Sequence, residues 1–295
     1  MDVSFFMPEQ YLPETARREA WKSGAPLQLE QGGKAACVQC WIYQTWVHLS
    51  NAGFPAKLVH HMPEKGVVVA LSGNLHPTFR PGKGLYVVGV VADGLPHPHV
   101  HWHILQNSAW AKQLGSSTYI PLWTQPNLVP RDPSRGNTLE TLRFYGDGTN
   151  LAKELRDPAF VSHCWEALRL KVEARNANLW HDYSDTDCAF AIRAFDRAPC
   201  HHKPPTKLAN AWLAGVPFIG GADSAYASEG RAGIDHMTCQ TPQDFLNVLQ
   251  KLKSDPALRE GLVAQGKVAA KRHTIPALTS RWADFLSGEA IPTAT

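Results

Sequence analysis

Apolar residues recur along this chain in two rhythms, short runs of strand length and longer stretches at helical spacing, with glycine and proline between them. Residues 3–7 predict a first strand, and a polar stretch then leads to the turn-forming Gln31-Gly32-Gly33-Lys34. Val38, Ile42, Thr45, Trp46 and Leu49 fall every three or four positions, which predicts a helix over 36–52 closed by Asn51-Ala52-Gly53. Residues 56–60, 66–71, 84–92 and 98–107 read as strands separated by Pro- and Gly-bearing turns. Residues 121–136 hold four prolines in sixteen positions, which removes backbone donors and opposes regular structure. A domain boundary at residue 135 follows from that break.

The second half alternates more cleanly. Strands are expected over 142–145, 178–183, 188–195 and 216–219, and helices over 158–174, 207–214, 242–254 and 256–272. A last helix, 275–287, carries Leu278, Trp282 and Phe285 on one side. Strands alternating with helices imply parallel sheets whose ligands bind at the carboxyl ends of the strands. The expected class is therefore α/β, with domains over 1–135 and 136–274.

Composition narrows the functions. Across 295 residues the net charge is only +3, and a split at residue 135 gives 11 basic and 8 acidic residues before it and 18 of each after it. That imbalance is too small for a nucleic-acid stripe, though the first half would suit an anionic or membrane-adjacent acceptor. No apolar run approaches the roughly 18 residues of a membrane span. The start, Met1-Asp2-Val3-Ser4, is acidic where a secretion signal is basic, so a cytoplasmic protein is expected. The six cysteines read as reduced, partly buried thiols, including the Cys37/Cys40 pair at helical spacing.

Residues 200–221 carry the most chemistry. Lys203-Pro204-Pro205-Thr206-Lys207 is a basic, proline-stiffened loop running into a helix, whose first turn presents free N–H groups and a partial positive charge. Gly215-Val216-Pro217 returns the chain to the sheet, and Gly220-Gly221 end that strand where a ligand can approach backbone. This run resembles the donor-site motif of the GT-B glycosyltransferases, in which a loop and helix precede a Gly-x-Pro strand. The large retaining families place two glutamates eight positions apart there. Aligned on Gly215 and Pro217, those positions are His202 and Asn210 in this chain, so stereochemistry does not carry over. Residues 223–226 and Glu229-Gly230 stand in the place of the family's glycine-rich loop and its acidic residue, and residues 241–272 resemble its two closing helices. The last helix, 275–295, resembles the one that crosses back to the first domain. Before residue 142 the likeness is confined to patches such as Gly32-Gly33 and the helix after them.

The resemblance implies two Rossmann-like domains facing each other across a cleft, with an acceptor on the first and a nucleotide-sugar donor on the second. It implies transfer of a sugar to a hydroxyl without a metal or other cofactor. Lys203 and Lys207 would offset charge growing on the leaving β-phosphate. Gly146, Asn150, Arg193, Asn210, Ser224, Ala225, Tyr226 and Glu229 are the further donor-side candidates, and Gly32 and Gly33 the acceptor-side loop. Asp147 or Asn150 would contact sugar hydroxyls, with the alternative that both only shape a turn; Tyr226 has the alternative of packing, and Arg193 that of pairing with Asp196. For an inverting reaction Asp93, at the end of an apolar strand, is the candidate base. Two rivals stand beside this reading. On a strand His99, His101 and His103 would share a face, as in a zinc-dependent hydrolase or lyase, and a sugar-binding protein without catalysis is the other.

Overall fold

In the computed structural model, residues 2–14, 27–30, 32–195, 200–288 and 291 are described. They form two compact units. The first holds residues up to Pro126 together with His202–Pro204 and the chain from His273, and the second holds Asn127–His201 and Pro205–Arg272.

The first unit is built on a six-stranded parallel sheet of order β2-β1-β3-β4-β5-β6. Its strands are β1 (Val3–Phe6), β2 (Ala56–Val59), β3 (Gly66–Leu71), β4 (Leu85–Val90), β5 (Trp102–Leu105) and β6 (Ser117–Tyr119). Because β3 and β4 are covered on both faces, they read as continuous aliphatic runs instead of alternating ones. Between β1 and β2 the chain winds through α1 (Gly33–Val38), a π-wound stretch Gln39–Tyr43 and α2 (Gln44–Asn51). A short α3 (Ser108–Ala111) is capped by the side chain of Asn107. Phe5, Ile42, Val69, Val88 and Trp123 share one core with Leu278 and Trp282 of the closing helix Ile275–Ser287. The ring of Trp282 meets Phe5 edge-on at 6.3 Å.

Two expectations for this unit need correction. Residues 98–107 are not one strand, since 97–101 form turns before the short β5. The strand β6 escaped the sequence reading because Ser117-Thr118-Tyr119 carries no apolar run.

The second unit has a five-stranded parallel sheet of order β11-β10-β9-β7-β8. It comprises β7 (Thr141–Phe144), β8 (Lys171–Ala174), β9 (Cys188–Ala191), β10 (Phe218–Gly220) and β11 (Met237–Thr238). Five helices accompany it: α4 (Pro158–Leu168), α5 (Thr206–Ala214), α6 (Ser224–Glu229), α7 (Pro242–Ser254) and α8 (Pro256–Ala270). The helix expected over 158–174 ends instead at Leu168. Arg169 takes a left-handed conformation, and residues 171–174 pair with β7 as a strand. Residues 178–183, expected as a strand, are turns around a single 3₁₀ turn at Ala177–Leu179.

The amino ends of β7 and β9 are tied by one carboxylate. Asp187, fully buried, accepts from Arg131 and Arg135, from the backbone N–H of Glu140 and Thr141, and from the Thr141 hydroxyl. Burial pushes this carboxyl up, but the bonds from Arg135, the two backbone groups and Arg131 prevail and hold it at about 2.

Candidate donor site

In a parallel α/β sheet, ligands bind beyond the carboxyl ends of the strands. In the second unit those ends carry Gly146 after β7, Ile192-Arg193 after β9 and Gly220-Gly221 at the end of β10. Packing around the glycines is tight at two of them. A β-carbon on Gly146 would lie 2.9 Å from the Phe144 ring and 3.0 Å from Lys207 Cε, and one on Gly220 would meet the Tyr226 ring at 2.9 Å. Gly221 donates its N–H to Ala191 at 3.0 Å and lies against Ile192.

Lys207 sits in the first turn of α5, with Nζ 5.2 Å from the centre of the Phe144 ring. Pro204 and Pro205, which lack N–H groups, lead into that turn and stiffen the entry. Arg193 Nε stands 3.4 Å from the buried Asp223, which precedes α6. The expected alternative partner, Asp196, lies outside the described residues. Ser224 opens α6, and its hydroxyl is 3.2 Å from Nδ1 of His201. Lys207, Gly146, Arg193 and Ser224 are thus at one end of one sheet.

Several other candidates have structural employment. Ala225 and Tyr226 are buried, and the Tyr226 ring packs edge-on to Phe218 at 5.1 Å, with burial pushing its phenol well up. Asn210 is buried inside α5. The Glu229 carboxylate receives Arg272 Nε at 2.6 Å, and that guanidinium lies over the Trp212 ring. Asp147 accepts from the N–H and hydroxyl of Thr149, which shapes the turn after β7 and lowers its carboxyl, while Asn150 is exposed on the same turn.

Within the first unit, Lys203 and Asp93 come together although 110 residues separate them, with Nζ 2.7 Å from Oδ2. Asp93 lies in the turn beyond β4, not at its last residue. Two residues that the sequence reading passed over build this place. Buried Gln106 donates to Asp93 at 2.6 Å and to the carbonyl of His202 at 2.7 Å, and buried Asn107 donates to the carbonyl of Lys203 at 3.3 Å. Their only sequence signal was position, two amides at the end of an apolar run. Gly32 and Gly33 have φ of 78° and 75°, so both glycines serve the entry into α1.

The histidine reading fails on geometry. His99 and His101 lie in turns, and only His103 is on β5. His101 Nδ1 accepts from the N–H of Val87 with its ring stacked on Tyr86, and His103 Nε2 bonds to the carbonyl of His97. Among the described residues no three His, Cys, Asp or Glu side chains gather as metal ligands. All six cysteines are free thiols, and burial pushes Cys37 up to about 11 and Cys40 up to about 12.

No protein-family profile matches the chain, and no curated protein matches it in sequence. Solved structures do match in fold. The Anabaena protein HepE, solved with UDP and glucose, superposes with a TM-score of 0.60 at 11% identity over 98% of this chain and 100% of that one. Sucrose-phosphate synthase of Thermosynechococcus elongatus gives 0.60 at 11% identity over 97% and 98%. This chain has the GT-B fold. The pneumococcal O-GlcNAc transferase GtfA, with UDP and GlcNAc bound, is more distant at a TM-score of 0.53, 12% identity, and 83% and 59% coverage. The GT-B assignment agrees with the sequence expectation of two parallel sheets flanked by helices. No helix among the described residues is long and apolar enough to cross a membrane.

Proposed function

We propose that this chain is a glycosyltransferase that takes a sugar from a nucleoside-diphosphate donor and passes it to a hydroxyl acceptor, with no metal ion. The observation that carries the proposal is Lys207 in the first turn of α5, beside the close-approach glycine Gly146 at the carboxyl end of β7. When the bond from the sugar to the β-phosphate breaks, negative charge grows on the leaving oxygen. A fixed ammonium and the free N–H groups of a helix start stabilise that charge without reorganising. Arg193 and Ser224, on the neighbouring strand end and helix, supply further donors to a diphosphate. Asp93 fixes the Lys203 ammonium, so we assign Asp93 a positioning role toward that lysine and leave it out of the base role. GT-B structures solved with UDP or a UDP-sugar support the donor class. We place the reaction in the cytoplasm, where nucleotide-sugar donors are at hand.

The test is thermal denaturation with UDP, GDP, ADP and CMP. A diphosphate at a hundredfold excess over its Kd adds about 2.7 kcal/mol and raises Tm by several degrees. Lys207→Ala removes that rise and leaves the Tm of the free protein in place. A wild-type Tm that no nucleotide moves would overturn the proposal.

A further inference from the structure

At the opposite end of the second sheet lies a cavity of about 530 Å³ between the starts of β7 and β8 and the end of α4. Its flat wall is Trp165, 44% exposed, an unusual degree for so large an aromatic ring. Three cationic side chains surround it: Arg169, Lys171 and Lys253. Among the described residues Glu140 is the single acidic side chain in the lining, so that lining carries a net positive charge. Arg169 terminates α4 in the left-handed region, φ 54° and ψ 39°, a conformation costly for a residue with a β-carbon. Its guanidinium stands 5.7 Å from the centre of the Trp165 ring. Lys253 reaches across from α7 and donates to the carbonyl of Leu168, which anchors its stem at the rim. Thr138 also lines it.

An exposed indole face pairs with a flat ligand whose surface is partly apolar, and the cations around it select an anion. The volume is that of an ordinary small-ligand pocket and suits one or two sugar rings. We propose that this pocket is a second carbohydrate site, which holds an acidic pyranose of a glycan with its apolar face on Trp165 and its anionic group toward Lys171 and Arg169. The choice of a sugar among flat anions rests on the transferase reading; the pocket's charge and its aromatic wall do not. It is separate from the donor site, because the strands of this sheet run about 10–13 Å from one end to the other. A glycan held there would raise the local concentration of acceptor chains near the enzyme.

Isothermal titration of the full chain with tetragalacturonate, and with neutral maltotetraose in parallel, tests the site. The acidic oligosaccharide is expected to bind, more weakly as salt rises, and the neutral one at least about tenfold more weakly. Trp165→Ala and Lys171→Gln should each cost tetragalacturonate about tenfold or more, while the Tm rise with the nucleotide stays as in the wild type. Because both side chains are exposed, neither variant is expected to lose its fold, and an unchanged Tm without ligand verifies that. Equal binding of the two oligosaccharides, no binding of either, or tetragalacturonate binding unchanged in both variants would overturn the site. UDP binding that Trp165→Ala abolishes would instead make the pocket a nucleotide site and overturn the sugar assignment. Failure of the donor reading shows up separately, as a wild-type Tm that no nucleotide moves.

Discussion

The two ends of the second sheet differ in what the chain places there: a buried carboxylate hub at one, and glycines, a helix start and a lysine at the other. At the amino end, Asp187 has two arginines, two backbone N–H groups and a hydroxyl on it, and Arg131 spends its remaining donors on the carbonyls of Gly136 and Thr138. Arg259 nearby is likewise committed to the carbonyls of Leu252 and Asn137. At the carboxyl end the chain presents glycines, the first turn of a helix and a lysine over an aromatic ring. A saturated carboxylate fixes where strands begin and has little left for a ligand.

The largest expected effect tests the saturated end. Asp187→Ala leaves two arginines facing each other around an apolar gap and should cost about 3–5 kcal/mol in chemical denaturation. An effect under about 1 kcal/mol would mean that the hub is not what aligns β7 and β9. The same group predicts acid behaviour. Its folded value, about 2, lies below the ordinary 3.8, so its stabilisation is complete above pH 4 and fades as pH falls from about 4 to 2. That loss amounts to about 2 kcal/mol, and it should vanish from the pH–stability curve of Asp187→Asn.

Next in size is the open end. Gly146→Ala places a methyl against the Phe144 ring and Lys207 Cε, and should cost about 1–3 kcal/mol of stability with loss of nucleotide binding. Retained nucleotide binding in this variant would separate Gly146 from the donor site. The smallest effect belongs to the Lys203–Asp93 pair, in which Asp93 is 56% exposed. Asp93→Asn should change Tm by no more than the equivalent of about 1 kcal/mol. Its signature should lie in turnover, because the lysine loses its fixed position. Equal turnover in wild type and variant would leave the pair a surface ion pair.

These differences also show what was readable in the chain. Strand-sized aliphatic runs such as 66–71 and 84–92 announced strands, and they are continuous because strands buried on both faces have no polar side to show. The helix expected over 242–254 forms with those bounds, and the structure adds the local device that starts it, a capping box between Thr241 and Asp244. The break at Arg169 was not readable. A helical pattern continues through Val172, and only pairing with β7 turns residues 171–174 into a strand. The histidines misled for a related reason, because period-two spacing has meaning only if a strand forms, and there the chain turns.

Sequence alone determined the class of the fold and the lysine-proline entry to α5, because periodicity, caps and proline act over a few neighbouring residues. Tertiary structure alone decided which polar groups meet. Asp93 meets Lys203, Gln106 grips His202, and Asp187 gathers Arg131 and Arg135, in each case across tens of residues or more. Hydrogen bonds and charges are satisfied by whatever the fold brings within about 3 Å, and no local pattern encodes that distance.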